Sequence, residues 1–341
     1  GWIENGTEPD ETQLVVQVRH LDGRLDNESN RGLVVDGEGF RGARLTSSEN
    51  EAAVSWIDGT GTFHVATFNQ VGQELGRHTV DGDASGALQT ITDYLWMDDQ
   101  AVLVSGWLDT SGQIVAERID NAESWGTTLT ETPEEDAVVA LYAGYVFVVW
   151  SNDGFSDDVD REIVGLWASL TEDWTSELQF LSDNPEQDQL EPAVTRVSAD
   201  RAFVAWTDTN NALEDQSGRG IRGRQVWADG SDGSMPLNAN TSGAQSRPTV
   251  VSGQDYVVAV WLDEGSGELR ARYHQNAGYP LSQPFGAGSD SEFVLDSGDD
   301  QVGQPAIDTR GTVNFLWIEG AGSCDTGGTR LMLRQMPPPL R

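Results

Sequence analysis

Residues 256–272 read YVVAVWLDEGSGELRAR. Tyr256–Leu262 is an apolar run with Trp261 near its end, and Asp263–Gly267 is an acidic, glycine-rich turn. From Glu268 to His274 the chain alternates Leu269, Ala271 and Tyr273 with Arg270 and Arg272. An alternation of period two marks a strand and not a helix. Two such runs joined by a short glycine-containing turn mark a β-hairpin.

Versions of this hairpin recur along the whole chain. An apolar run ends in tryptophan at Trp2, Trp56, Trp107, Trp150, Trp206, Trp261 and Trp317, and the intervals are 54, 51, 43, 56, 55 and 56 residues. An acid follows two residues later as Glu4, Asp58, Asp109, Asp208, Asp263 and Glu319; the fourth unit has Asn152 there, then Asp153. Each unit has the same internal order. A short strand A opens it, as in Gln245–Val251, where Pro248 is placed at the strand start because it lacks an N–H. Strand B carries the tryptophan, strand C often carries arginine, and a looser strand D closes the unit. The opening Gln-x-x-Pro returns at Gln189–Pro192 and, one residue longer, at Gln301–Pro305.

Four short antiparallel strands per unit of roughly 50 residues describe a β-propeller blade better than a linear solenoid. The first unit shows the end of B, then C and D; five units show all four strands; the last shows A, B and C, for 26 strands. The expectation is an all-β fold, a seven-bladed propeller over residues 1–336, closed by one strand. That closure requires roughly 20 further residues upstream of Gly1. A six-bladed ring is the alternative, and would leave Val15–Leu21 or Arg330–Met336 as a surplus strand. The proline-rich residues 337–341 are read as an exit or linker, since proline cannot continue a ladder. Residues 173–181 are the nearest approach to a helical pattern, and their place in the repeat makes them a loop leading into strand D.

Composition narrows the function. The net charge is −36, with 56 acidic residues against 20 basic ones. Such a surface repels nucleic acid and anionic membranes. All the basic residues are arginine, so lysine chemistry is excluded: no Schiff base and no P-loop lysine. No apolar run approaches the roughly 18 residues of a membrane span. The single Cys324 forms neither an internal disulfide nor a zinc cluster. No His-Glu-x-x-His, Gly-x-Ser-x-Gly, Rossmann or sialidase-type Asp-box pattern is present. His20, His64 and His274 fall in strand C of three units and read as variants of one repeat position.

The recurring tryptophans are read as packing between units, and the acids after them as turn ligands paired with strand-C arginines (Arg19, Arg118, Arg224, Arg272 and Arg334). A carboxylate ring around one face is the sharper alternative. Ligand-binding candidates are sought where the units differ. Trp125 and Trp174 are placed in C–D loops, as exposed side chains able to stack on a ligand. Residues 151–160 bring Asp153, Asp157, Asp158 and Asp160 together, hard oxygen donors suited to Ca²⁺. The spacing does not match an EF-hand. The loop from Thr207 to Gly220 adds Asp208, Glu214 and Asp215.

The order Gln-x-x-Pro-x-Val, then a strand ending in Trp-x-Asp, then a strand with arginine resembles the repeats of secreted bacterial β-propeller proteins. It shows best in residues 189–224, 245–272 and 301–334, and less before residue 150. The resemblance implies the propeller fold and an extracellular or cell-surface location, and carries over no catalytic residues. The expected function is non-enzymatic: recognition of a protein or glycan, adhesion, or service as a module of a larger assembly. A secreted polysaccharide-acting enzyme, using carboxylates at the axial mouth, is the alternative.

Overall fold

A computed structural model describes residues 2–5, 12–16, 33–37, 41–48, 51–69, 73–97, 100–134, 136–142, 144–153, 160–172, 174–182, 187–209, 218–238, 243–252, 256–275, 292–296, 301–308, 313–320 and 329–336. The described residues form seven sheets and no helix. The chain divides into two compact units. One is Gly1–Glu135 with Ala143–Val146 and Ala168–Thr175; the other is Asp136–Tyr142, Phe147–Trp167 and Ser176–Arg341.

Three sheets lie in the first unit. Sheet 1 runs β1 (Trp2–Asn5), β2 (Thr12–Val16), β3 (Leu33–Gly37). Sheet 2 runs β4 (Arg41–Ser47), β5 (Glu51–Ile57), β6 (Phe63–Asn69), β7 (Glu74–Val80). Sheet 3 runs β8 (Ala87–Met97), β9 (Gln100–Asp109), β10 (Gln113–Arg118), β11 (Glu123–Thr128). The apolar faces of sheets 2 and 3 meet: Ile57, Phe63 and Val65 of sheet 2 form one core with Tyr94, Leu103 and Trp107 of sheet 3. Trp107 is 2% exposed and its ring lies 5.6 Å from that of Phe63, so the repeated tryptophan does fill space between neighbouring sheets.

Sheet 4 is β12 (Val138–Tyr142), β13 (Tyr145–Asn152), β14 (Glu162–Ser169), β15 (Gln179–Phe180). Sheet 5 is β16 (Gln189–Arg196), β17 (Arg201–Asp208), β18 (Gly220–Trp227) and β19 (Gly230–Ser231), with β20 (Met235–Pro236) also pairing with β18. Sheet 6 is β21 (Gln245–Ser252), β22 (Tyr256–Asp263), β23 (Glu268–Gln275), β24 (Glu292–Asp296). Sheet 7 is β25 (Gln301–Asp308), β26 (Val313–Gly320), β27 (Thr329–Met336). Within the second unit, Phe147, Val149, Ile163 and Trp167 pack on Val204, Trp206 and Val226. The other face of sheet 5, with Phe203, Ala205, Ile221 and Leu237, packs on Val257, Ala259 and Trp261 of sheet 6. Burying each such tryptophan contributes roughly 2–3 kcal/mol.

The strands divide among the sheets much as the repeat predicts. The difference is in sheet 5, where the outer strand D is two short pieces, β19 and β20, on one neighbour. A second difference concerns proline. Pro192 and Pro248 do not start their strands: each lies within a β-bulge, between Leu190 and Ala193 and between Ser246 and Thr249. A bulge leaves an extra residue outside the ladder, so proline's missing N–H costs little there. The residue before each proline, Glu191 or Arg247, sits at φ 54°. In sheet 2 the matching bulge at Arg41/Arg44 has Gly42 at φ 62°. Side chains with a Cβ adopt this region only at a cost, which glycine avoids.

Candidate functional site

In three units the acid after the tryptophan is a turn ligand. Asp58 Oδ1 accepts from the backbone N–H of Thr60 at 2.8 Å and of Thr62 at 3.0 Å, and from the Thr60 hydroxyl at 2.6 Å. Its Oδ2 lies 2.7 Å from His64 Nε2. Burial works to raise the Asp58 pKa, but the bonds from Thr60, His64 and Thr62 outweigh it and hold the carboxyl well below its usual range. Asp109 repeats the arrangement with Ser111 and Gln113, and Asp263 with Gly265 and Ser266.

In the second unit the same acids also hold arginine, but not the arginines expected. Asp208 faces Arg222 at 3.5 Å, and Asp263 faces Arg270 at 3.1 Å. These partners lie two residues before Arg224 and Arg272. The register explains the correction. Arg222 stands opposite Trp206 and Arg270 opposite Trp261, one diagonal step from each aspartate. His64 holds the same place opposite Trp56, which is why it takes the aspartate in sheet 2. Arg224 is instead buried and bonds Ser231, and Arg118 pairs with Asp120.

The glutamine of Gln-x-x-Pro has a role the sequence did not disclose. Gln189 is 1% exposed; its Oε1 accepts from Trp206 Nε1 at 2.6 Å, and its Nε2 donates to Asp208 Oδ1 at 3.0 Å. It joins the two motif residues of strand B to strand A. Gln245 turns to Asn238 and to the Gly243 carbonyl instead.

The other predicted residues separate. Trp125 is corrected: it lies in strand β11 and is 7% exposed, so it presents no face to a ligand. Its position on an outer strand is what the loop reading missed. Asp208 is buried in the fastening just described. Glu214 and Asp215 lie outside the described residues, as do Asp157, Asp158 and Cys324. Asp153 is exposed and 3.9 Å from Arg161, and Asp160 is half-buried. Among the described residues no group of three or more His, Cys, Asp or Glu side chains gathers to hold a metal ion.

Trp174 remains. It is 41% exposed, on the segment after β14, and its ring meets that of Tyr145, 44% exposed at the start of β13. The centroids are 6.1 Å apart and the planes stand at 90°. The turn that carries Trp174 is tied down. Ser169 Oγ accepts from the N–H of Glu172 at 2.9 Å and of Thr171 at 3.3 Å, and Ser169 N–H donates to the Trp174 carbonyl at 2.9 Å. The Leu170 N–H reaches back to Gly144, beside Tyr145, at 2.8 Å. The result is a fixed, solvent-facing corner of two aromatic rings. Sequence inspection found Trp174 and missed Tyr145, which reads as the ordinary first residue of a strand B.

No protein-family model matches the chain, and no curated protein matches it. Solved structures do. An α-L-arabinanase of Penicillium chrysogenum is 11% identical with a TM-score of 0.51, over 86% of this chain and 93% of that one. The β-propeller domain of the trilobed protease from Pyrococcus furiosus is 9% identical with a TM-score of 0.51, over 98% and 91%. The BP39L lectin of Burkholderia pseudomallei is 13% identical with a TM-score of 0.51, over 97% and 95%. At these identities the likeness concerns the fold. The chain is all-β, with several four-stranded antiparallel sheets, and shares the fold of β-propellers.

Proposed function

We propose that this protein is a non-enzymatic β-propeller that binds glycans outside the cell, with Tyr145 and Trp174 as the platform on which a sugar ring stacks. The exposed aromatic corner carries this reading. Every other tryptophan whose side chain is described is buried or half-buried among its own sheets, so Trp174 is the one among the described residues with a free face. Aromatic rings hold large contact area at small cost in side-chain freedom, and two rings at a right angle offer faces to two sides of a pyranose. An arabinanase and a lectin among the fold neighbours show what the architecture accommodates, not what this chain does. The extracellular placement rests on the net charge of −36 and the absence of lysine. The seven sheets are read as seven blades of one ring, a count that a crystal structure checks directly.

The test is an oligosaccharide array followed by calorimetric titration of the best binder. Trp174→Ala and Tyr145→Ala should each weaken binding by about tenfold or more, which is about 1.4 kcal/mol. Full affinity in both variants, or no binder on the array, would overturn the reading. The polysaccharide-acting alternative has one observation behind it. Glu162, at the start of β14, has its carboxyl pKa raised by burial, the direction a general acid requires. Release of reducing ends that Glu162→Gln abolishes would favour the enzyme.

A further inference from the structure

Strand β23 presents three basic side chains in a row on the face toward sheet 5: Arg270, Arg272 and His274. Their cross-strand partners on β22 are Trp261, Ala259 and Val257, all in the core shared with sheet 5. The three are compensated very differently. Arg270 has Asp263 at 3.1 Å, Glu268 at 2.6 Å and Glu292 at 2.8 Å. Arg272 donates to the Leu237 carbonyl of sheet 5 at 2.9 Å, and Glu292 stands opposite it in register. His274 is 2% exposed, with no hydrogen-bond partner on either ring nitrogen, and its ring stacks on Phe203 of sheet 5 at 6.5 Å.

Among the described residues no acceptor is bonded to either ring nitrogen of His274. From sheet 5 the packed face is Phe203, Ala205, Ile221 and Leu237, with Gln225 in register beside Phe203. From its own sheet come Val257, in register opposite, and Arg272 on the same face. The charged group that bears on the ring is Arg272, and its sign is the wrong one. Glu292, which opposes Arg272 on β24, is already engaged by Arg270.

We propose that the seam between sheets 5 and 6 is an acid-sensitive joint, closed while His274 is neutral and opened by its protonation. At neutral pH the imidazole is an apolar-packed plate against Phe203. Once protonated it becomes a buried cation beside Arg272 with no acceptor bonded to it among the described residues, and separation of the two sheets lets water reach it.

The sign follows from linkage. Burial first, and then Arg272, lowers the His274 pKa from 6.5 to about 3. The opened or unfolded protein therefore binds a proton that the closed form does not, across that interval. Stability is complete above about pH 6.5 and is lost as the pH falls towards 3. A one-proton step raises the opening equilibrium by up to about tenfold per pH unit.

Amide exchange on the full chain, with intrinsic rates corrected at each pH, tests the joint. Between pH 7 and pH 4.5 the residues of β17 and β23 should lose protection more than those of β5 and β6, which are in the other compact unit. His274→Phe and His274→Leu should flatten that loss. Carbon-13 resonances of the His274 ring in the wild type give a reading that no variant's folding affects. They should show a neutral ring at pH 5. A ring that titrates near 6.5, equal loss of protection in all four strands, or an unchanged acid response in a folded variant would overturn the proposal.

Discussion

Arg247 holds φ at 54° immediately before Pro248, in a place where sheet 2 uses Gly42. Its side chain is half exposed, and its nearest acidic contact is Glu191, 4.0 Å away. An exposed pair at that distance contributes little, so the conformational cost is larger than the gain. Arg247→Gly should therefore stabilise the protein by roughly 1 kcal/mol, relief of the left-handed backbone outweighing the added freedom of the unfolded chain. A thermal melt reads this as a rise in Tm, and a fall would show that Arg247 has a stronger partner. Glu191 shares the φ value but differs in its bonds. Its Oε2 accepts from the Thr207 hydroxyl and from the Arg247 backbone N–H, each at 2.8 Å. Glu191→Gly would relieve the same strain and lose both bonds, so no comparable gain is expected there.

At the scale of one element, the hairpin β22–β23 shows which effect dominates when charges are buried. Asp263 and Glu292 are 2% and 4% exposed, and Arg270 is 19% exposed. Burial opposes the charge on Arg270, but Glu292 and Glu268 outweigh it and raise the guanidinium's pKa. Replacing Arg270 with methionine keeps most of the bulk and strands the buried carboxylates. The expected loss is about 3–5 kcal/mol. Urea unfolding should show a lower midpoint at an unchanged slope; a loss below about 1 kcal/mol would mean that solvent already compensates these acids. This hairpin also marks what the sequence made legible. The alternation of Leu269, Ala271 and Tyr273 with Arg270 and Arg272 settled strand, face and turn. Period two cannot say which arginine along that face reaches the aspartate, because the diagonal offset is set by register and side-chain lean. Trp125 was misplaced because a single tryptophan among polar residues (Glu123–Thr128) carries no apolar alternation to mark a strand. Tyr145 was missed because exposure at a strand start is decided by the turn that brings Trp174 beside it.

The whole molecule carries 56 acidic residues and 20 arginines. Repetition helps the fold tolerate them: the motif acid is consumed by its own turn at Asp58, Asp109 and Asp263. The remaining excess has no counter-charge within the chain. Two opposite salt effects then compete. Salt weakens exposed pairs such as Arg77–Glu74, 3.1 Å apart, each contributing well under about 1 kcal/mol. It also screens repulsion summed over a net charge of −36, and unfolding moves those charges apart. The buried pairs around Arg270 are screened least. Repulsion outweighs the loss of exposed pairs, because those pairs are limited by the supply of arginine while unpaired acids are not. Raising NaCl from 0.01 M to 1 M shortens the screening length from about 30 Å to about 3 Å. Over that range Tm should rise by several degrees, most of it in the first few tenths molar. A Tm that falls with salt would place the stabilising electrostatics in the surface pairs instead, and would require the acids to be matched by bound cations at low salt.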